Sequence, residues 1–478
     1  MRKLVYIFVL CALGASAVAQ DFSLFLSRVQ SAPEYRRQFM ADSFLTTLSH
    51  TPFIEKDSLC YFLFKGQALD VSIAGDHNNW SDTRSPLVRI AHTDLWYRSE
   101  VFNPSARIDY KIVADKAWIL DPRNPRTIAG GFGPNSELRM SLYEEPREVL
   151  QQAGIPRGRL IDTTITSVEL GNQRQVTVYL PEGYQGSSHA YPLLLVHDGP
   201  DYIRLAAVPT ILDNLIHEGR IPPVIAVFVP PVRRTEEYAG SAMDAFSRFI
   251  VQELLPVLEA RYRIRKDAGA RAMIGASNGG NIGLYIAMRY PHVFGNVAAQ
   301  SSNIIPAISD RFNQQPLLPL KLYLDLGVYD IPVLIPLVRS FAAQLQHTQY
   351  ELLYQEFFEG HSWGNWRAHI DDALVWFFAW LLHSGDSPSP RSFGFEISAA
   401  RPNPARDHLS FDVRLPAYDS VVATLHDTLG RVVRRVHDGA LQAGSHTLTV
   451  ETSALPRGTY FLRVTVDGHS NMRTIHLH

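Results

Sequence analysis

Short apolar runs alternate with stretches of helical periodicity between residues 145 and 384. The runs lie at 176–180, 193–196, 224–229, 272–274 and 322–324, and a representative helical stretch at 245–259. Runs without polar alternation are typical of strands buried on both faces, as in a mostly parallel sheet covered by helices. The pattern therefore predicts an α/β domain over 145–384.

The hydrophobic period is two on either side of this domain. Alternating runs lie at 60–64, 71–74, 95–101 and 108–113, and again at 409–413, 421–425, 432–436, 447–450 and 460–466. They predict an immunoglobulin-like β-sandwich at 58–142 and a second β-sandwich at 394–478. Two short helices are expected within 20–57, and the Pro/Ser-rich stretch 385–393 is expected to be a linker.

The N-terminus has the pattern of an export signal. Arg2 and Lys3 precede an apolar run over 4–13, and small residues follow, so residues 1–19 are predicted to be a signal peptide cleaved after Ala19. The apolar run is too short to span a bilayer. Cleavage would leave Cys60 as the only cysteine, without a partner for an internal disulfide. The expected location is secreted or at the cell surface.

Composition narrows the range of partners. The 478 residues are 46% hydrophobic and 19% charged with a net charge of −2, which indicates ordinary folded domains. A chain of this length exceeds one hydrophobic core. No basic patch suggests a nucleic-acid partner, and no metal-ligand spacing suggests a metal or another cofactor.

The segment Gly275-Ala-Ser-Asn-Gly-Gly280 joins the predicted strand 272–274 to a helical stretch at 282–290. In a strand, tight turn and helix of this kind, Gly-x-Ser-x-Gly forms an elbow that exposes a nucleophilic serine. The strand and helix approach too closely for side chains at Gly275 and Gly279. Ser277 is therefore the candidate nucleophile.

A serine hydroxyl needs a histidine base that a carboxylate orients, and in elbow hydrolases these partners follow in the order Ser, acid, His. His361 follows a strand that ends at Gly360, which is expected to leave room for the imidazole. Asp330 is preferred as the acid because a loop residue can swing under the ring. Asp325, one residue past the predicted strand 322–324, is the rival acid.

Two backbone N–H groups are expected to bind the oxyanion. One belongs to Asn278, directly after the nucleophile. The second comes from the loop after 193–196, where Gly199 or Asp201 is the candidate, because Pro200 has no N–H. The aromatic residues Tyr202, Trp363 and Trp366 are candidates for lining the substrate pocket, or for packing beside it.

The region 145–384 resembles the esterase D-like family, which includes enterochelin esterases and the feruloyl and acetylxylan carbohydrate esterases. The matching segments are Val178-Tyr-Leu-Pro-Glu-Gly-Tyr184, Val196-His-Asp-Gly199, Arg234-Thr-Glu-Glu-Tyr238, the elbow, and Gly360-His-Ser-Trp-Gly-Asn-Trp-Arg367. The resemblance implies an α/β-hydrolase fold, with Ser277 and His361 as catalytic residues and the acid in the loop of Asp330. Arg234 and Glu237 are expected to form structural pairs.

The flanking regions resemble two other families. Residues 58–142, through Val71-Ser-Ile-Ala-Gly-Asp-His-Asn-Asn-Trp80 and Trp118-Ile-Leu-Asp-Pro122, resemble early-set domains related to glycogen-binding modules. Trp80 and Trp118 are therefore candidates for stacking on a glycan, or for packing. The last region, through Pro402-Asn-Pro-Ala405 and Leu455-Pro-Arg-Gly-Thr-Tyr-Phe-Leu462, resembles the type A sorting domain of type IX secretion and also a FlgD-like fold. Its implied partner is the secretion machinery.

The sequence thus predicts a secreted serine hydrolase of carboxylic esters that acts through an acyl-enzyme. The leading substrate is a feruloyl or acetyl ester of a polysaccharide, which fits export and a sugar-binding sandwich. An enterochelin-type siderophore ester is the alternative within this class. A surface binding protein without activity is the alternative from another class.

Overall fold

The structure is a computed structural model that describes residues 21–187, 189–383, 395–415, 418–427, 431–466 and 469–478. The predicted signal peptide at 1–19 and linker at 385–393 lie outside the described residues. Within the described ranges, no helix has the combination of length and apolar character that crossing a membrane requires.

Two helices and nine strands form the N-terminal region. They are α1 (Phe22–Ser31), α2 (Glu34–Thr47), β1 (Phe53–Glu55), β2 (Leu59–Lys65), β3 (Val71–Gly75), β4 (Val88–Arg89), β5 (Leu95–Val101), β6 (Arg107–Ala114), β7 (Ala117–Ile119), β8 (Thr127–Ile128) and β9 (Asn135–Arg139). One antiparallel sheet has the order β1-β2-β5-β4, and the other has the order β3-β6-β9-β8 with β7 on β6.

The core of this sandwich lies between its two sheets, where side chains of β2 such as Phe62 meet side chains of β6 such as Ile108 and Tyr110. Helices α1 and α2 cover the outer face of β2. The sandwich begins at β1, five residues before the predicted boundary at 58, because a three-residue strand is too short to show a period. The same reason explains why the two-residue strands β4 and β8 were not predicted.

The central domain contains eight strands and ten helices. The strands are β10 (Arg159–Ser167), β11 (Asn172–Leu180), β12 (Leu193–His197), β13 (Ile225–Val229), β14 (Arg271–Ala276), β15 (Asn296–Gln300), β16 (Lys321–Tyr329) and β17 (Glu351–Gly360). The helices are α3 (Gly199–Arg204), α4 (Val208–His217), α5 (Arg234–Ala239), α6 (Met243–Arg248), α7 (Leu255–Arg261), α8 (Asn278–Arg289), α9 (Pro306–Phe312), α10 (Leu334–His347), α11 (Trp363–Ala368) and α12 (Ile370–Phe378).

The sheet has the order β10-β11-β13-β12-β14-β15-β16-β17. The six strands β13, β12, β14, β15, β16 and β17 are parallel to one another. At the other edge, β10 pairs antiparallel with β11, and β11 pairs antiparallel with β13. Separate apolar clusters cover its two faces, which confirms the prediction of a mostly parallel, doubly covered sheet. The helical stretch predicted at 245–259 is confirmed, as α6 and α7 with the π-helical turn Phe249–Leu254 between them.

The C-terminal region is a second pair of antiparallel sheets. Its strands are β18 (Glu396–Ile397), β19 (His408–Leu415), β20 (Asp419–His426), β21 (Val432–Leu441), β22 (Gly444–Glu451), β23 (Gly458–Val466) and β24 (His469–Leu477). The sheets are β18-β19-β22 and β21-β20-β23-β24, with an apolar core between them. This region contacts the rest of the protein through Arg463, whose Nη1 donates to Ser105 Oγ at 2.7 Å, and through the edge-to-face rings of Phe358 and Phe461.

Candidate active site

Ser277 lies at the sharp turn between β14 and α8, with φ 57° and ψ −123°. An L-residue adopts this backbone conformation only when its surroundings impose it. A Cβ on Gly275 would lie 2.4 Å from the backbone of Gly279, and one on Gly279 would lie 3.0 Å from Asp198 Oδ2. The expected close approach of strand and helix is confirmed at Gly275, whereas Gly279 makes room for the carboxylate of Asp198.

Hydrogen bonds to the next strand hold the turn in place. Ser277 N donates to the carbonyl of Gln300 at 2.8 Å, and Ser302 Oγ donates to the carbonyl of Ser277 at 3.2 Å. Gln300 continues the connection, because its Nε2 donates to the carbonyl of Trp366 at 3.0 Å. The ring of Trp366 meets the ring of His361 edge to face, 4.9 Å between centroids.

Asp330 and His361 come together at the carboxyl ends of β16 and β17. His361 Nδ1 and Asp330 Oδ1 are 2.8 Å apart, and the Asp330 side chain has no exposed area. Asp330 Oδ1 also accepts from the N–H of Ile331 at 2.7 Å. His361 keeps 19% of its side chain exposed, so one edge of the imidazole faces solvent while the other is fixed.

Asp325 lies inside β16, which continues to Tyr329, and not one residue past its strand. Its carboxylate accepts from the N–H of Ser301 at 3.0 Å and from Gln300 Nε2 at 2.9 Å. Burial raises the pKa of Asp325 to about 6, although the hydrogen bond from Gln300 opposes this shift. The geometry therefore favours Asp330 over Asp325 as the partner of His361.

The two candidate oxyanion donors each begin a helix. Asn278 starts α8 and Gly199 starts α3, and the first N–H groups of a helix have no intrahelical acceptor. The N–H of Asp201, the other candidate, already donates to the carbonyl of Asp198 at 2.9 Å. A Cβ on Gly199 would lie 2.4 Å from the backbone of Phe228, so only glycine fits at this position.

Arg234 and Glu237 both form ion pairs, as expected, but each pairs with another residue and not with the other of the two. Arg234 pairs with Asp198, and Glu237 pairs with Arg174. Glu237 accepts from both Nη1 and Nη2 of Arg174, at 2.9 and 2.7 Å, in a buried contact.

The three candidate pocket aromatics differ in exposure. Tyr202 is fully buried, and its hydroxyl donates to Gln300 Oε1 at 3.0 Å. Trp363 is half-buried and meets both Tyr202 and Trp366 edge to face, with centroids 5.2 and 4.9 Å apart. Trp363 is therefore the member of this set with a surface open to a substrate, whereas Tyr202 supports it from behind.

A hairpin of the N-terminal sandwich reaches the same place, which the sequence pattern did not predict. Gly130 and Gly133 exchange backbone hydrogen bonds at 3.2 and 3.3 Å, and a Cβ on Gly131 would lie 3.7 Å from Trp363 Nε1. Phe132 at the tip is fully exposed. The sequence signal that could have indicated this hairpin is Phe132, a single aromatic residue between two glycines in a turn.

Gly360 is required for a different reason than the one expected. A Cβ there would lie 2.1 to 2.4 Å from the carboxylate and Cβ of Asp76, a sandwich residue, so the glycine makes room for Asp76 and not for the imidazole.

Trp80 Nε1 donates to Asp76 Oδ1 at 3.0 Å. The rings of Trp80 and Trp118 are nearly parallel, 6.5 Å between centroids, and Trp118 is 45% exposed.

Residues 167–319 match the family model described as Putative esterase. The match covers the middle part of the central domain, from the end of β10 to the residues just before β16. A second model, for the secretion system C-terminal sorting domain, matches residues 400–477 and indicates export or a cell-surface location. The esterase and sorting-domain resemblances predicted from the sequence are confirmed. The esterase match includes Ser277 but ends before Asp330 and His361.

Some of the curated relatives carry esterase names. An iron(III) enterobactin esterase of Escherichia coli O6:H1 is 24% identical over 348 residues, which are 64% of this chain and 85% of that protein. An endo-1,4-beta-xylanase/feruloyl esterase of Xylanibacter ruminicola is 28% identical over 153 residues, 30% of this chain and 21% of that protein.

A solved structure shares the fold of most of this chain. The ferric enterobactin esterase of Salmonella typhimurium has a TM-score of 0.62 and 21% identity, and the match covers 72% of this chain and 100% of that one. The α/β-hydrolase fold expected from the sequence is thereby confirmed.

Proposed function

We propose that the protein hydrolyses carboxylic esters through an acyl-enzyme on Ser277, with His361 as the base and Asp330 as the acid. The observation that carries this proposal is the 2.8 Å contact of His361 with Asp330, at the same edge of the parallel sheet as the strained elbow of Ser277. The chain of contacts through Gln300 and Trp366 supports the approach of the imidazole to the serine.

The reaction has two halves. Ser277 Oγ attacks the ester carbonyl while His361 Nε2 takes its proton, and the N–H groups of Asn278 and Gly199 bind the oxyanion. The tetrahedral intermediate collapses, the C–O bond to the alcohol breaks, and His361 protonates the leaving oxygen. Water then adds to the acyl group with His361 as base, which releases the acid and restores Ser277.

The preferred substrate is a feruloyl or acetyl ester of an extracellular polysaccharide. The sorting domain supports export, which brings the enzyme to such polymers. Trp363 and the exposed Phe132 offer aromatic surface to an aryl group or a sugar face. The similarity to the xylanase/feruloyl esterase of Xylanibacter ruminicola points to the same substrate class.

A siderophore ester is the second candidate. It is favoured because the similarity to the enterobactin esterase of Escherichia coli extends over 64% of this chain, more than the esterase model alone covers.

The decisive experiment compares wild type with Ser277→Ala on p-nitrophenyl acetate, methyl ferulate, acetylated xylan and a catecholate trilactone. Ser309→Ala is the matched control, because this exposed hydroxyl bonds only within its own helix, to Pro306 O at 3.0 Å. We expect Ser277-dependent turnover and stoichiometric labelling of Ser277 by a fluorophosphonate. Turnover that survives Ser277→Ala would contradict the mechanism, and the absence of turnover and labelling would favour a binding protein.

A further inference from the structure

Arg107 extends from β6 of the sandwich and contacts the residue after His361. Its Nη1 donates to Ser362 Oγ at 3.1 Å. Ser362 is the N-cap of α11, and its Oγ also accepts from the N–H of Asn365 at 3.4 Å. The loop that carries His361 is thus bonded to the sandwich immediately downstream of the imidazole.

The position of Arg107 is fixed by acidic residues of its own sheet and of β17 in the central domain. Nε donates to Glu137 Oε1 and Nη2 donates to Asp109 Oδ1, both at 2.6 Å, and Glu359 Oε2 lies 3.8 Å from Nη1. Arg107 has no exposed area. A buried guanidinium with charge-assisted bonds at all three nitrogens has almost no freedom to move.

The residue before His361 is held as well. Gly360 lies directly against the carboxylate of Asp76, where no Cβ fits. Asp76 Oδ2 accepts from the N–H of Asp109 at 2.8 Å, which connects Asp76 to the same strand as Arg107. On the other side, a Cβ on Gly364 would lie 2.0 Å from the Arg107 guanidinium. The backbone therefore fits the sandwich closely both before and after the imidazole.

We infer that Arg107 and Asp76 are positioning residues for His361, so that the N-terminal sandwich is part of the catalytic unit of the esterase. This inference rests on the proposed function. Neither residue touches the reacting atoms. They act through the backbone of Gly360 and the side chain of Ser362, and they set the direction in which the imidazole leaves the loop.

Displacement of a catalytic group by about 1 Å can cost on the order of 100-fold in rate. We therefore expect loss of the contacts between Arg107 and the His361 loop to lower kcat and to leave KM for a small ester nearly unchanged. The primary variant is Ser362→Ala, which removes the acceptor of Arg107 without leaving an unpaired charge. Ser362→Thr keeps the hydroxyl and should restore kcat. Arg107→Met is the second variant, since it removes the donor.

The matched control is Asp21→Ala, which removes the N-cap of α1, where Asp21 Oδ1 accepts from Leu24 N at 3.0 Å, far along the chain from the site. Loss of an N-cap costs about 1 kcal/mol. Asp21→Ala should therefore lower the thermal midpoint as Ser362→Ala does, but without any change in kcat. Equal kcat for folded Ser362→Ala, folded Arg107→Met and wild type would overturn the inference.

A second readout does not depend on turnover. The Nδ1–H proton that His361 shares with Asp330 should give a low-field proton resonance, assigned by its absence in His361→Gln. We expect this signal to shift or broaden in Ser362→Ala and to persist in Asp21→Ala. If wild type hydrolyses no ester, the proposed function fails, while an unchanged resonance in Ser362→Ala and Arg107→Met would overturn the positioning role.

Discussion

The guanidinium of Arg234 donates two hydrogen bonds to the carboxylate of Asp198, from Nε to Oδ1 and from Nη2 to Oδ2, each 2.8 Å long. Nη2 also donates to the carbonyl of Ala276 at 3.2 Å. Asp198 directly precedes Gly199, and Ala276 directly precedes Ser277. One bidentate pair thus connects the loop of one candidate oxyanion donor to the nucleophile elbow.

Arg234→Lys should lower kcat about 10-fold or more, because an ammonium group cannot reproduce the planar two-bond contact with Asp198. KM should change less than kcat, since neither residue is expected to hold the ground-state ester. The measurement is steady-state hydrolysis of p-nitrophenyl acetate. Arg204→Lys, at an exposed ion pair with Asp201, is the control and should leave both constants unchanged. An equal effect at both positions would contradict the connection.

Asp330→Asn should lower kcat by about 10³ to 10⁴, because the amide no longer favours the imidazole tautomer with a proton on Nδ1. Asp325→Asn should keep kcat near the wild-type value and lower the thermal midpoint instead, since it disturbs the buried bonds from Gln300 and Ser301. Kinetics and thermal unfolding of both variants distinguish the two carboxylates. Loss of kcat in Asp325→Asn alone would reverse the assignment.

Phe132→Ala should raise KM for methyl ferulate by about 3- to 10-fold, because covering one face of the ring is worth roughly 1 kcal/mol of apolar burial. KM for p-nitrophenyl acetate should change less, since its small acyl group does not extend to the hairpin. Phe39→Ala, at another exposed phenylalanine on α2, is the matched control. No change in KM for methyl ferulate would remove the hairpin from the substrate site.

His77 should make the sandwich sensitive to acid. Burial, with a smaller contribution from Arg98 and against the opposing effect of Glu100, lowers the pKa of this imidazole to about 4. The unfolded chain takes up the same proton near pH 6.5. Stability therefore falls as the pH drops from about 6.5 to about 4, by at most about 3 kcal/mol, and this loss levels off below pH 4.

The variant His77→Phe keeps a ring between Phe62 and Phe102 and removes this titration. Its thermal midpoint should fall less than that of wild type between pH 7 and pH 4.5. His347→Phe, at an exposed position, should behave as wild type does. Parallel pH dependence of wild type and His77→Phe would show that the pKa of His77 is the same in the folded and unfolded states.

The sequence predicted those parts of the fold and site that depend on neighbouring residues in the chain. The elbow at Ser277 was predictable because its strand, glycines and helix are contiguous, and the runs at 193–196 and 272–274 lie within β12 and β14. The strand β15 was missed because its small residues form no marked apolar run. Asp325 was misplaced for a related reason: β16 continues through Gly327, where its register with β17 shifts.

The contacts between domains could not be predicted from the hydrophobic periodicity of the sequence. Nothing in the local pattern around Arg107 distinguishes it from other basic residues of an antiparallel strand, because its partner Ser362 is 255 residues away. Gly360 illustrates the same limit. Its small size was predicted to matter, but the group it accommodates comes from Asp76, directly after β3 of the sandwich.

The contact between Arg107 and Ser362 also bears on how such a gene can be rearranged. The sandwich and the hydrolase have separate hydrophobic cores, so each resembles an independent module that recombination could exchange. A new sandwich joined at residue 145, however, would lack the guanidinium beneath the histidine loop and the carboxylate against Gly360. The two domains therefore have to be inherited together if the histidine loop is to keep both the guanidinium and the carboxylate that lie against it.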